Sequence, residues 1–121
     1  MSTMSSKRRR SFGRETPLHG ILTRGDLAID FDRRRVSRGD VDVRLTPKEF
    51  ELLTLLVSHS GRVLTHRLIL KAIWGPHSAD QPEHLRVLIG QLRKKIEPDP
   101  ARPRYLLTEP WVGYRFVEEP E

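Results

Sequence analysis

The spacing of hydrophobic positions changes near residue 46 from a two-residue repeat to a helical one. Apolar and polar residues alternate over 27–31 and again over 41–45, with a short segment at 35–37 and a turn signal at 38–40 between them. Alternation over short segments joined by turns is typical of antiparallel strands that bury one face. The first part of the chain is therefore predicted to form three or four short strands.

Two helices are predicted in the middle of the chain. Thr46 fits an N-cap, a proline occupies the first helical position, and Glu49 completes a capping box. Apolar residues at helical spacing follow, and we expect Gly61 to end this helix as its C-cap residue. Thr65 then caps a second helix, which ends at a Gly-Pro pair before a polar loop over 75–82.

A third helix is predicted over 83–97, followed by a hairpin. Its apolar residues repeat at helical spacing and predict one buried face: Leu85, Ile89, Leu92 and Ile96. Pro98 ends this helix, because the residue before a proline is biased away from helical geometry. Residues 105–108 and 113–117 predict two strands joined by a turn. The order of strands, three helices and hairpin indicates an α+β fold.

The third helix carries candidate DNA-binding chemistry on the side opposite its buried face. That side is predicted to combine polar, apolar and cationic residues, with two arginines at its flanks: His84, Val87, Leu88, Gln91, Lys94 and Lys95, then Arg86 and Arg93. A helix about 10–12 Å wide fits a B-DNA major groove about 12 Å wide. Gln91 can pair with an adenine edge, Val87 and Leu88 can touch a thymine methyl group, and the cations can neutralise phosphates. The alternative is a solvated helix end, because Lys and Arg in a last turn also complement the helix dipole.

Two tryptophans add to this prediction. Trp111 falls at the predicted tip of the hairpin, with Arg104 and Arg115 nearby, and such a tip can contact a DNA backbone or wedge near a minor groove. The alternative is that Trp111 packs back on the domain. Trp74, at the end of the second helix, is expected to pack its ring and to direct its N–H toward a phosphate.

Composition narrows the class of protein further. The chain has 121 residues, of which 36% are hydrophobic and 31% charged, and it has no cysteine. The five histidines lack metal-ligand spacing, and no phosphate-binding glycine loop or nucleophile elbow occurs. No apolar run approaches the ~20 residues of a membrane span. We therefore expect a soluble, cytoplasmic protein that is not an enzyme and that uses no metal and no cofactor.

The positive charge is concentrated at the N-terminus. Residues 1–14 carry five Lys and Arg side chains and no acid, out of a net charge of +6 for the whole chain. Residues 1–20 show no periodicity and are predicted to be a disordered basic tail or interdomain linker that precedes a domain over 21–121. A phosphate-binding arm is the alternative. The tail thus leaves open non-specific nucleic-acid (RNA) binding, and the exposed apolar residues leave open a protein-interaction module.

Several blocks of sequence, in order, resemble one known family. The segment Leu-Thr-Pro-Lys-Glu-Phe-Glu-Leu-Leu at 45–53 resembles the first-helix signature of the OmpR/PhoB-type winged-helix effector domains. Residues 63–75 are similar to their second-helix block, 92–97 to the end of their recognition helix, and 113–116 to their wing. The resemblance covers residues 21–117 and implies a winged helix-turn-helix with an N-terminal antiparallel four-stranded sheet, three helices and a C-terminal β-hairpin wing.

The resemblance also implies a function and partners. It implies transcription regulation by sequence-specific binding of double-stranded DNA, as the effector half of a two-component response regulator. The helix 83–97 would enter the major groove, Arg115 and the wing would approach the minor groove, and Thr65, His66 and Trp74 would meet phosphates.

Further partners follow from the same resemblance. It implies head-to-tail dimers on an operator with direct repeats, contact of loop 75–82 with RNA polymerase, and an N-terminal receiver domain that is absent from this chain. Within the family, residues 74–76, 85–90 and 99–104 are similar to the regulators of potassium-uptake operons. Two features depart from the family: Gly90 and Gln91 replace arginines that are common in relatives, and Pro110-Trp111 stands where relatives tend to have glycine.

Overall fold

A computed structural model describes residues 18–77 and 81–118. Most of the predicted basic tail, and the centre of the loop 75–82, lie outside the described residues. The described elements, in chain order, are β1 (Ile21–Arg24), β2 (Leu27–Asp30), β3 (Arg35–Arg38), β4 (Val41–Val43), α1 (Pro47–Ser58), β5 (Val63–Thr65), α2 (His66–Trp74), α3 (Pro82–Ile96), β6 (Leu106–Glu109) and β7 (Gly113–Phe116). None of the described helices combines the length and apolar content that a membrane span requires.

The N-terminal strands form an antiparallel four-stranded sheet in the order β1-β2-β3-β4. Leu27 and Ile29 of β2 and Val36 of β3 are buried, while the residues between them are more exposed. The alternating pattern therefore places one face of the sheet against the core, as the sequence predicted. The α+β fold class is confirmed.

Both predicted N-caps of the first two helices are present. The Thr46 hydroxyl accepts a hydrogen bond from the Glu49 N–H at 3.2 Å, and the Glu49 carboxylate accepts one from the Thr46 N–H at 2.9 Å. The Thr65 hydroxyl likewise accepts one from the Leu68 N–H at 3.1 Å. These local bonds satisfy donors that no residue inside the helix can pair with, and they set where each helix begins.

The predicted end of α1 is wrong by two residues. The helix ends at Ser58, and His59 rather than Gly61 is its C-cap. Gly61 has a φ of +85° and donates its N–H to the carbonyl of Phe116 at 2.7 Å. The left-handed geometry of Gly61 therefore turns the chain toward β7 after the helix has already ended.

The hairpin is part of a larger sheet than the sequence predicted. Strands β6 and β7 pair with each other, and β5 adds to the other side of β7, in the order β5-β7-β6. A Cβ atom at Gly113 would lie 1.8 Å from the carbonyl oxygen of Leu64. Only glycine therefore permits β5 to approach this end of β7 so closely.

Candidate nucleic-acid interface

Helix α3 separates its residues into a core face and an exposed face. The four residues predicted to be buried are each no more than 2% exposed: Leu85, Ile89, Leu92 and Ile96. On the opposite side Val87 is 59% exposed, and His84, Gln91 and Lys94 are exposed as well. The helix thus presents an apolar group, an amide and cations on one surface, which is the combination that base edges and phosphates require.

Leu88 is a correction to the predicted base-facing set. Its side chain is 5% exposed and belongs to the hydrophobic core. Leu88 follows Leu85 by three residues, which places it only about 60° around the helix from that core residue. The i, i+3, i+4, i+7 spacing of Leu85, Leu88, Ile89 and Leu92 was the signal that predicts a wider buried face.

The N-terminal end of α3 packs on the end of α2. The His84 and Trp74 rings lie 5.8 Å apart, and the Lys48 ammonium lies 5.9 Å from the centre of the Trp74 ring. Lys48 also donates to the Ile73 carbonyl at 2.8 Å, so that it caps the C-terminal end of α2. The Trp74 ring therefore packs as predicted, between a cation and the first turn of α3.

The four cations of α3 differ in their surroundings. Arg93 donates to the Leu106 carbonyl at 3.1 and 2.9 Å and to the Thr108 hydroxyl at 2.7 Å. Its guanidinium lies 5.7 Å from the Tyr114 ring. Burial lowers the pKa of Arg93, and the charges of Tyr114 and Glu97 oppose that change. Arg93 therefore ties α3 to the hairpin.

Lys95 is also engaged within the chain. Its ammonium lies 2.6 Å from the carboxylate of Glu49, a residue that is 2% exposed. A buried carboxylate without a cation would be costly, so this ion pair supports the contact between α1 and α3. Arg86 and Lys94, by contrast, are exposed on the outer surface of α3. All four cations were predicted to be phosphate ligands. In the structure two of them have partners within the chain and the other two are exposed.

The start of α2 lies beside the hairpin. Thr65 pairs with Gly113 across β5 and β7, and the His66 ring meets the Tyr114 ring edge-on at 5.4 Å. Exposed Thr65 and half-buried His66 thus stand at a helix N-terminus, where backbone N–H groups and the helix dipole favour an anion. Their position suits the predicted phosphate contact.

Trp111 projects from the tip of the hairpin. Its side chain is 98% exposed, so the alternative in which it packs back on the domain is wrong. The Val112 N–H donates to the Glu109 carbonyl at 3.0 Å, which closes a turn with Pro110 and Trp111 as central residues. Trp111 has a φ of +69°, a conformation that turns of this kind usually give to glycine and that costs a larger residue about 1–2 kcal/mol.

Arg115 lies on the side of the hairpin rather than at its tip. The strand register sets it between Val63 and Leu107, and its Nε donates to the Glu109 carboxylate at 3.1 Å. Arg104 packs its guanidinium 5.9 Å from the Tyr105 ring. Both arginines line an open groove of about 730 Å³ on the outer face of this sheet. The structure therefore brings the two predicted wing arginines to one surface and sets Trp111 apart from them.

Glu97 was not predicted to have a role. It is 1% exposed, and its carboxylate accepts hydrogen bonds from the backbone N–H groups of Arg104, Tyr105 and Leu106 at 2.7–3.2 Å. These bonds anchor the start of β6 to the end of α3. A glutamate directly before Pro98 was the available signal, but its partners become visible only in the folded chain.

An exposed helix preceded by a shorter packed helix and followed by a hairpin with an exposed tip defines a winged helix-turn-helix domain. Over residues 40–116 the chain matches the protein family described as "Transcriptional regulatory protein, C terminal". The chain belongs to this family, the DNA-binding effector domains of OmpR/PhoB-type response regulators, which regulate transcription and are not enzymes. Among the described residues, no group of three or more potential metal ligands occurs.

Curated relatives include two transcriptional regulatory proteins named KdpE. The chain is 46% identical to the KDP operon transcriptional regulatory protein KdpE of Escherichia coli K12 over 92 residues, which are 76% of this chain and 41% of that protein. It is 36% identical to the transcriptional regulatory protein KdpE of Mycobacterium tuberculosis, over 79% of this chain and 42% of that protein. The chain thus spans about two-fifths of the length of these relatives.

Solved structures show the same fold. The response regulator DrrB of Thermotoga maritima, an OmpR/PhoB homologue, superimposes with a TM-score of 0.75 at 37% identity over 81% of this chain and 44% of that one. The RstA DNA-binding domain of Klebsiella pneumoniae, in complex with the RstA box, superimposes with a TM-score of 0.74 at 29% identity over 82% of this chain and 98% of that one. The winged-helix fold is confirmed.

Proposed function

We propose that residues 21–121 form the effector domain of a two-component response regulator that reads an operator of a potassium-transport system, with residues 1–20 as the linker. One observation supports the proposal that α3 contacts DNA in the major groove: α3 buries five apolar residues yet leaves Val87 and Gln91 exposed beside Lys94. Exposed apolar and amide groups among cations on one helix surface match the major groove. The 46% identity to KdpE of Escherichia coli supports the potassium link.

The residues of this surface take different roles in the proposal. His84, Val87 and Gln91 face base edges, while Arg86 and Lys94 neutralise phosphates together with the start of α2 and Trp74. Arg93 and Lys95 act instead as supports, because both have partners within the chain. Trp111 enters or borders the minor groove from the tip of the hairpin, and Arg104 and Arg115 face the adjoining backbone.

Two variants of neighbouring residues test this assignment. Gln91→Ala is expected to change the preference at one base position by about 1–3 kcal/mol, because an amide that pairs with a base edge carries sequence information. Lys94→Ala is expected to weaken all duplexes similarly and to reduce the salt dependence of binding, because a phosphate contact releases counterions regardless of sequence. Binding would be measured by fluorescence anisotropy at several salt concentrations, on random duplexes and on a duplex selected from a random pool for tight binding, which is called the selected operator. Equal losses on both duplexes for Gln91→Ala would refute its role.

The N-terminal charge calls for a separate control. A chain that begins at residue 15 loses five Lys and Arg side chains but keeps every described residue. We expect it to retain sequence preference with weaker non-specific affinity. Loss of all duplex binding, with RNA binding confined to the full chain, would favour the tail as the binder instead.

The proposed operator and partners extend to the whole protein. We propose a cytoplasmic regulator with an N-terminal receiver domain, head-to-tail dimers on direct repeats, and contact of loop 75–82 with RNA polymerase. Binding to direct repeats and dimer formation are tested by titration of duplexes with one or two repeats, taken from the promoter of a potassium-transport operon. Two chains bound per two-repeat duplex would support the dimer. If the chain shows no preference for this promoter over a scrambled one, the potassium link is refuted.

A further inference from the structure

Gly90 lies in the middle of the outer surface of α3, where nothing in the fold requires a glycine. A glycine in a helix interior makes the helix less stable than an alanine would. Two structural reasons usually explain such a residue, a positive φ or a crowded site. Gly90 is not among the described glycines with positive φ, and a Cβ built on it would have no described atom within 4 Å apart from its chain neighbours and the backbone of its own helix. An alanine would therefore fit the folded chain and stabilise the helix.

The position of Gly90 suggests where its reason lies. Arg86 and Val87 stand one turn before it, and Lys94 stands one turn after it, all of them exposed. Backbone Cα atoms lie about 2.3 Å from a helix axis, whereas side chains extend the radius to about 5–6 Å. The missing side chain thus leaves a depression that is bordered by the Val87 methyl groups and flanked along the helix by cations.

We propose that Gly90 is a specificity-determining residue, and that its depression receives the C5-methyl group of a thymine between the glycine Cα and the Val87 side chain. This inference rests on the proposed function, since it requires α3 to face the major groove. Thymine presents the apolar group of the major-groove pattern, and an apolar depression selects it without a hydrogen bond. The flanking cations, Arg86 and Lys94, bring the helix backbone close enough by holding phosphates on either side.

The variant Gly90→Ala separates recognition from folding. We expect its midpoint of urea unfolding to rise, because alanine is the better helix former. Its affinity for the selected operator is expected to fall roughly tenfold, as for a mismatched base pair, with unchanged affinity for random duplex and an unchanged salt slope. A purely structural glycine would show opposite behaviour, with lower stability and equal losses on all duplexes.

Removal of the thymine methyl group is the matching change on the DNA. Each thymine of the selected operator is replaced in turn by deoxyuridine, which lacks only the methyl group. The wild-type chain is expected to lose about fourfold in affinity at one position of each repeat, the value for one buried methyl-sized group. Gly90→Ala is expected to lose nothing more at that position, since the contact is already absent.

Gln91→Ala distinguishes failure of this inference from failure of the proposed function. If Gln91→Ala alters base preference while Gly90→Ala binds the operator as the wild type does, the inference is wrong and α3 still reads DNA. If neither variant alters preference, α3 does not read DNA and both proposals fall. If no deoxyuridine position weakens the wild-type chain, the thymine contact is overturned.

Discussion

The bonds of Glu97 lead to a quantitative prediction for Glu97→Gln. The buried carboxylate accepts from the N–H groups of Arg104 and Tyr105 through one oxygen, and from Tyr105 and Leu106 through the other. Glutamine has nearly the same shape but replaces one oxygen with an NH2 group. That group would face a buried backbone N–H, and two donors cannot pair with each other.

The expected loss follows from the bonds removed. One buried donor left unpaired costs about 1–3 kcal/mol, and the remaining bonds lose their charge-assisted part, since bonds to charged groups are worth about 1.5–3 kcal/mol each. We expect Glu97→Gln to lower the free energy of unfolding by about 3 kcal/mol. For a domain of this size that corresponds to roughly 15 °C in the midpoint of thermal unfolding.

A matched control is available in β6, the strand that Glu97 anchors. Glu109→Gln makes the identical chemical change at a partly exposed residue whose carboxylate pairs with Arg115 at 3.1 Å. Exposed ion pairs contribute about 0–1 kcal/mol, so this variant is expected to be nearly as stable as the wild type. Urea and thermal unfolding followed by circular dichroism would measure both variants. A Glu97→Gln loss no larger than that of Glu109→Gln would refute the reasoning.

Three further predictions concern the core, the hairpin and pH. Burial and the hydrogen bond to Asp26 raise the pKa of Tyr105 above its usual 10.0. The folded chain therefore holds the neutral phenol, its stability contribution is complete below pH 10, and it is lost as pH rises from about 10 through the raised pKa. Tyr105→Phe should show a flatter loss of stability above pH 10 in urea titrations, and an unchanged slope would contradict this. Leu88→Ala should cost about 2–5 kcal/mol of unfolding free energy, as for a core residue, and a stable variant with altered base preference would reinstate Leu88 as a reading residue. Trp111→Gly should alter stability by less than about 1 kcal/mol, since the side chain is exposed and glycine suits the positive φ, yet should weaken duplex binding in anisotropy titrations.

The elements of the fold were largely predictable because their causes are local. The capping box at Thr46 and Glu49 and the N-cap at Thr65 join residues three apart in the chain. The strand alternation and the buried face of α3 repeat within a few residues as well. Each of these patterns depends only on residues of one element, and the structure confirms each of them.

Most errors arose where the role of a residue depends on contacts with distant parts of the chain. Gly61 bonds to Phe116, and β5 pairs with β7 about fifty residues away, so neither role has a local signature. Leu88 is a different case, because its spacing from Leu85 already indicated a wider buried stripe than the one predicted.

The amino-acid sequence carried the type and order of the elements, the outward direction of Val87 and Gln91, and the turn at Trp111. Tertiary structure decided which cations stay available to a ligand, since Arg93 is bound to the hairpin and Lys95 to a buried carboxylate. Helical periodicity and capping depend on neighbours a few residues away, and the chain itself supplies those. The partner of a charged side chain depends on which distant segment the fold brings within about 3 Å of it, and hydrogen bonds form only at that range.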